Sequence, residues 1–187
     1  MILLLLGLAL WWGAHLLKRL APDRRAEITA RMGDASKGLF AGLLVLSVVL
    51  MTVGYKLADG PVWWGRTAAT TGINNLLVLI AFYFFAASGM KTRVTRLTRH
   101  PQLIGFSIWA VAHLLVNGDL PSVVLFGGLL LWALVEMAVI SRQAGPFVPP
   151  PPAPVGKEIG AAVGAVIVMV VVGLIHGLVG PWPFGGA

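Results

Sequence analysis

Six stretches of this chain are almost pure hydrocarbon, and they limit its possible folds more than any other feature. They run approximately over residues 2–17, 38–57, 71–87, 102–116, 122–140 and 159–178. A helix that crosses a bilayer needs roughly 20 apolar residues, within a range of about 17–25. Most of the six qualify or come close, and the fourth is the shortest. The runs lack period-2 alternation and are too long for strands. The sequence therefore predicts an all-α fold, a polytopic membrane helix bundle of about six transmembrane helices. Residues 1–187 form one transmembrane domain in this reading.

Composition excludes the soluble alternative. Of 187 residues, 58% are hydrophobic and only 11% are charged, against about 25% charged in a soluble domain. No long polar stretch is left for a soluble enzyme hung on an anchor. The chain has no cysteine, which removes disulfides, thiolate metal sites and cysteine nucleophiles.

The charge is +7, and its placement reports topology rather than nucleic-acid binding. Lys18, Arg19, Arg24, Arg25, Arg31 and Lys37 lie between the first and second stretches. Lys91, Arg93, Arg96 and Arg99 lie between the third and fourth, and Arg142 and Lys157 between the fifth and sixth. The other side of the bundle carries only Lys56 and Arg66. The positive-inside rule places the three basic loops in the cytoplasm and both termini outside. The first stretch has its basic residues after it, the reverse of a secretory signal, so it reads as a retained helix.

The loops carry smaller signals. Pro22 opens a segment with Ile28 and Met32 among charges, the pattern of a short interfacial helix. The run from Pro146 to Pro154 reads as a stiff polyproline spacer. The pairs Gly38/Gly42, Gly160/Gly164 and Gly173/Gly177 have the spacing of close helix packing. Trp11, Trp12, Trp63, Trp64 and Trp182 are candidate interface anchors, with Trp11 and Trp12 placed deeper.

The chemistry points to the histidines. His15, His100, His113 and His176 all lie in or beside apolar stretches. An ionisable side chain is costly in lipid, so such residues mark function. At a rise of about 1.5 Å per residue, His15 and His113 differ in depth by roughly 9 Å. Tilted helices could bring that pair to opposite faces of a haem. Depth also permits His113 with His176, or His15 with His100. Hydrolytic metal sites recruit carboxylates, and the membrane acids here are few: Asp119 and Glu136. Two neutral imidazoles in an apolar bundle suit haem b. A covalently attached haem is excluded because no C-x-x-C-H motif is present.

The most specific block is Arg99-His100-Pro101-Gln102, then Trp109-Ala110-Val111-Ala112-His113-Leu114-Leu115, then Asn117-Gly118-Asp119. With Gly13 to Leu17, Lys37-Gly38 and His176-Gly177, it resembles the NnrU family of bacterial membrane proteins. More distantly it resembles the plant ζ-carotene cis–trans isomerase of the same superfamily. The resemblance implies a haem protein of the bacterial inner membrane, with axial ligands at His15 and His113. It implies a link to denitrification, through nitrite and nitric oxide reductase expression or activity. It also implies redox- or gas-sensing or isomerase-like haem chemistry, and a redox partner or a denitrification reductase as partner. The isomerase has a Cys three residues before its second ligand. That position is Ala110 here, so a thiolate ligand switch is impossible in this chain.

Other residues have two readings each. Arg96 and Arg99 mark topology and meet lipid phosphates, or one of them pairs with a haem propionate. Asn117 and Asp119 cap the turn before Pro121, or Asp119 orients His113 or His176. Glu136 pairs with an arginine from the cytoplasmic side, and Asn74 and Asn75 bond across helices. A rival of another class is a haem-free small transporter or assembly factor, in which the histidines serve as a polar pathway or as packing.

Overall fold

The computed structural model describes residues 1–185. All six apolar stretches are helical, and two short helices join them. The order is α1 (Ile2–Leu20), α2 (Pro22–Met32), α3 (Ala35–Lys56), α4 (Ala68–Met90), α5 (Val94–Leu97), α6 (Pro101–Val116), α7 (Leu120–Ala144) and α8 (Val155–Val179). Five of them (α1, α3, α4, α7 and α8) are long and apolar enough to cross a membrane. The sixth expected span, α6, has 16 residues and reaches only about 24 Å at the usual rise. Among the described residues the only strand-like pairing is one antiparallel bridge, Val62 with Asp119.

The helices outrun the apolar stretches at most ends. Lys18 and Arg19 form the last turn of α1, and Arg142 lies in the last turn of α7. Basic side chains there face the negative end of the helix dipole. The apolar pattern stops at the hydrocarbon edge, but the backbone hydrogen bonding does not. Pro22 sits in the first turn of α2 and starts the short helix expected between the first two spans. The segment from Pro146 to Pro154 has no helix or strand, as its composition requires.

The spans are arranged as a folded row. Helix α3 packs on α1, α1 on α7, α7 on α6, α6 on α4, and α4 on α8. Close backbone approach occurs at glycines other than the expected pairs. A Cβ on Gly54 would collide with the Leu4 backbone, and one on Gly7 with Met51 and the Ser47 carbonyl. These two glycines let α1 and α3 touch. Gly38 and Gly42 have open space instead, and Gly173 and Gly177 receive the rings of Phe184 and Trp182. Small-residue spacing says that an approach is possible, not that a partner helix is there.

The core lies where α1, α3, α6 and α7 meet. Leu4, Leu8, Met51 and Leu129 are buried together, with Trp11, Phe106 and Trp109 packed against them. Helix α8 is exposed along most of its length, including Val163, Ile167, Val171 and Leu174. Such surface is normal where the solvent is lipid.

Candidate functional site: two tryptophan-backed imidazoles and a buried ion pair

Helices α1 and α6 present histidine in the same way. His15 Nδ1 donates to the Trp11 carbonyl at 2.9 Å. His113 Nδ1 donates to the Trp109 carbonyl at 2.9 Å. A carbonyl oxygen only accepts, so Nδ1 carries a proton in each ring, and the neutral form of each presents its lone pair at Nε2. Each imidazole also packs on the indole one turn back, at 4.3 Å for Trp11 and 4.7 Å for Trp109. The source is a Trp-x-x-x-His spacing in both helices, because residues four apart share a face.

Aromatic rings join the two imidazoles. His15 lies 4.7 Å from Trp132, Trp132 lies 5.2 Å from Phe106, and Phe106 lies 5.2 Å from Trp109. Phe126 packs on the far side of His113 at 4.6 Å. Thus His15 and His113 belong to one cluster, and the path between them runs through Trp132, Phe106 and Trp109.

The other two histidines have different surroundings. His176 Nδ1 donates to the Pro181 carbonyl at 2.8 Å. His100 uses Nε2, bonded to the Ser141 hydroxyl at 2.8 Å. Beside it, Arg99 donates to the Gly145 carbonyl at 2.7 Å and lies over the Phe147 ring. Arg99 and His100 therefore clamp the C-terminal end of α7 to the start of α6. Burial, and then the Arg99 charge, hold the His100 imidazole below its ordinary range. Arg96 lines a shallow cleft with Arg93, Leu97, Pro149 and Pro152.

Glu136 finds the arginine expected for it. Its Oε1 lies 3.8 Å from Nε of Arg19. Trp11, His15 and Arg19 follow at intervals of four on α1, and Trp132 and Glu136 at the same interval on α7. The two stripes share the α1–α7 seam. At the opposite end of α7 from Glu136, Asp119 caps the helix by accepting from the Ser122 amide at 2.9 Å and the Ser122 hydroxyl at 2.7 Å. Asn117 donates to the His113 carbonyl at 2.9 Å, closing α6. Both residues are thus caps, and Asp119 bonds Ser122 rather than a histidine. Asn75 reaches the Pro183 carbonyl at 3.0 Å, while Asn74 bonds Asn75.

The sequence reading underrated Trp11, Trp109, Trp132 and Phe106. The available signal was the four-residue spacing of Trp to His, twice, and of Trp to Glu.

The donor set bears on what the cluster could hold. Axial haem ligation takes neutral imidazoles whose second nitrogen is hydrogen-bonded. His15 and His113 supply that tautomer, in aromatic surroundings. Among the described residues no three His, Asp or Glu side chains converge as a metal-ion cage. The hydrogen bonding at Nδ1 of His15 and His113 is the kind that an imidazole ligand of haem uses.

Comparison with known proteins gives the setting. The family described as NnrU protein matches residues 3–183. The chain belongs to the NnrU family. Among curated proteins it is similar to a chloroplastic 15-cis-zeta-carotene isomerase of Zea mays, at 30% identity over 114 residues. That match covers 49% of this chain and 31% of the relative, so this chain spans about a third of the relative's length. No solved structure matches.

Proposed function

We propose that this NnrU-family membrane protein binds haem b between its helices, with His15 and His113 as axial ligands. The observation that carries the reading is the shared presentation of the two imidazoles, each with Nδ1 held by the Trp carbonyl one turn back. That bond fixes the ring and raises the basicity of Nε2. Trp132, Phe106 and Trp109 join the two imidazoles through continuous aromatic contact. When bound, haem supplies an iron whose oxidation state controls what it coordinates.

The relative named for carotene isomerisation makes cis–trans isomerisation of a polyene the first activity to test. A second reading, redox or gas sensing in a denitrification setting, is favoured by one position. Ala110 is fully buried and carries a methyl where a thiolate switch would need sulfur. In either case the chain lies in a bacterial cytoplasmic membrane, with the basic loops inside and both termini in the periplasm.

Absorption spectra of the purified protein, oxidised and dithionite-reduced, with a pyridine haemochrome, test the cofactor. A low-spin b-type spectrum is expected. A colourless protein after expression with ample haem overturns the reading and favours a haem-free transporter or assembly factor. Absence of native cysteine makes the topology directly testable. Thr67→Cys should react with an impermeant maleimide added outside, and Ala35→Cys should not.

A further inference from the structure

The seam between α1 and α7 holds more polar atoms than the protein itself satisfies. Glu136 is 7% exposed and Trp132 is 4% exposed. Glu136 Oε2, Trp132 Nε1 and Trp11 Nε1 have no hydrogen-bond partner in the protein. Trp11 and Trp132 touch edge-to-face at 5.2 Å. Trp132 and Glu136 lie one turn apart on α7, and Arg19 meets the other carboxylate oxygen, Oε1. The neighbouring tryptophan on α1 does find a partner: Trp12 Nε1 donates to the Gly128 carbonyl at 3.2 Å. Asn74 Oδ1 and Thr92 Oγ1 are also unpaired, but each stands apart, and only this seam gathers three such atoms on two adjoining helices.

Two N–H donors and one carboxylate oxygen call for a molecule that accepts and donates at once. Water is the smallest that does, and buried polar groups left unpaired by protein are normally met by ordered water. Arg19 gives such water a way in. Its side chain is 34% exposed while bonded to a Glu136 side chain that is 10% exposed, so the pair runs from the helix end into the core.

We propose that the α1–α7 seam binds internal water on Trp11 Nε1, Trp132 Nε1 and Glu136 Oε2, forming a hydrated route from Arg19 into the aromatic cluster. The route is a property of the helix pair and does not depend on haem. It makes the core reachable by water and by small hydrogen-bonding solutes from the Arg19 end of the seam.

Water-to-indole cross-relaxation and deuterium exchange test this, on the full chain in lipid nanodiscs with its seven tryptophans nitrogen-15 labelled. Trp11→Phe and Trp132→Phe assign the two resonances. Both indole protons should show water cross-peaks and exchange about tenfold faster or more than that of Trp12, whose donor is bonded. Glu136→Gln should keep the cross-peaks, and Glu136→Leu should abolish them at Trp132 with the Trp12 signal unmoved. No water contact at either indole of the wild-type chain overturns the proposal, whether or not the Leu variant folds. Cross-peaks that survive Glu136→Leu overturn the role of the carboxylate.

Discussion

The Trp109 carbonyl accepts from Nδ1 of His113 at 2.9 Å, and the Trp109 indole packs on the same imidazole at 4.7 Å. His15 and Trp11 repeat both contacts on another helix. The hydrogen bond belongs to the backbone, so it survives any change of the indole. Only the ring packing depends on tryptophan.

This separation gives the first prediction. His15→Ala and His113→Ala each remove one Nε2 donor and should abolish the low-spin haem spectrum. His100→Ala leaves both donors in place and should keep it. Trp109→Phe should also keep the low-spin form, because the carbonyl still holds Nδ1. An unchanged spectrum in both ligand variants would sink the assignment.

The second prediction concerns the α1–α3 contact. A Cβ at position 54 meets the Leu4 backbone, which cannot step aside as a flexible side chain can. Gly54→Ala should destabilise the protein by about 1–3 kcal/mol, the usual range for overpacking. Gly42→Ala meets open space and should stay within about 0.5 kcal/mol of wild type. Unfolding in mixed micelles measures both. Equal effects at the two positions would mean that α1 and α3 do not pack as described.

How much of this was legible in the sequence depends on which physical pattern each feature leaves. The spans were legible because hydrocarbon length is read directly from composition. The pairing of Glu136 with an arginine is legible because a carboxylate in lipid must find a partner. That the partner is Arg19 is not, since several basic residues lie at that depth. The glycine contacts were misplaced: Gly38/Gly42 and Gly54 look alike in sequence, and only the neighbour order of the helices separates them. The bond from Arg99 to the Gly145 carbonyl is not legible. A glycine at positive φ ends α7 there and leaves a carbonyl that no sequence pattern announces.

The third prediction uses the Arg19–Glu136 pair. Removing one partner of a buried ion pair costs about 3–5 kcal/mol. The contact here is long, at 3.8 Å, and Arg19 is one-third exposed, so solvent screens it. Arg19→Ala should then cost about 1–3 kcal/mol. Adding Glu136→Gln to Arg19→Ala should recover part of that loss, because the unpaired charge is gone. A double variant less stable than either single one would show that the pair is not coupled.

The last prediction is a pH dependence where the start of α6 meets the end of α7. His100 bonds Ser141 through Nε2, and burial and Arg99 disfavour its charged form. Its folded pKa therefore lies below the ordinary value of 6.5. The unfolded chain binds the proton more readily, so protonation favours unfolding. The contribution of His100 to stability is complete above pH 6.5 and is lost as pH falls through the lower folded value. His100→Asn should lack this component. Thermal unfolding of both proteins between about pH 5 and pH 8, the range in which histidine titrates, should show wild type losing more on acidification. The gap should be small, because His100 is only partly buried and solvent screens its charge. Parallel curves for the two proteins would show that the Ser141 contact forms equally with the charged ring.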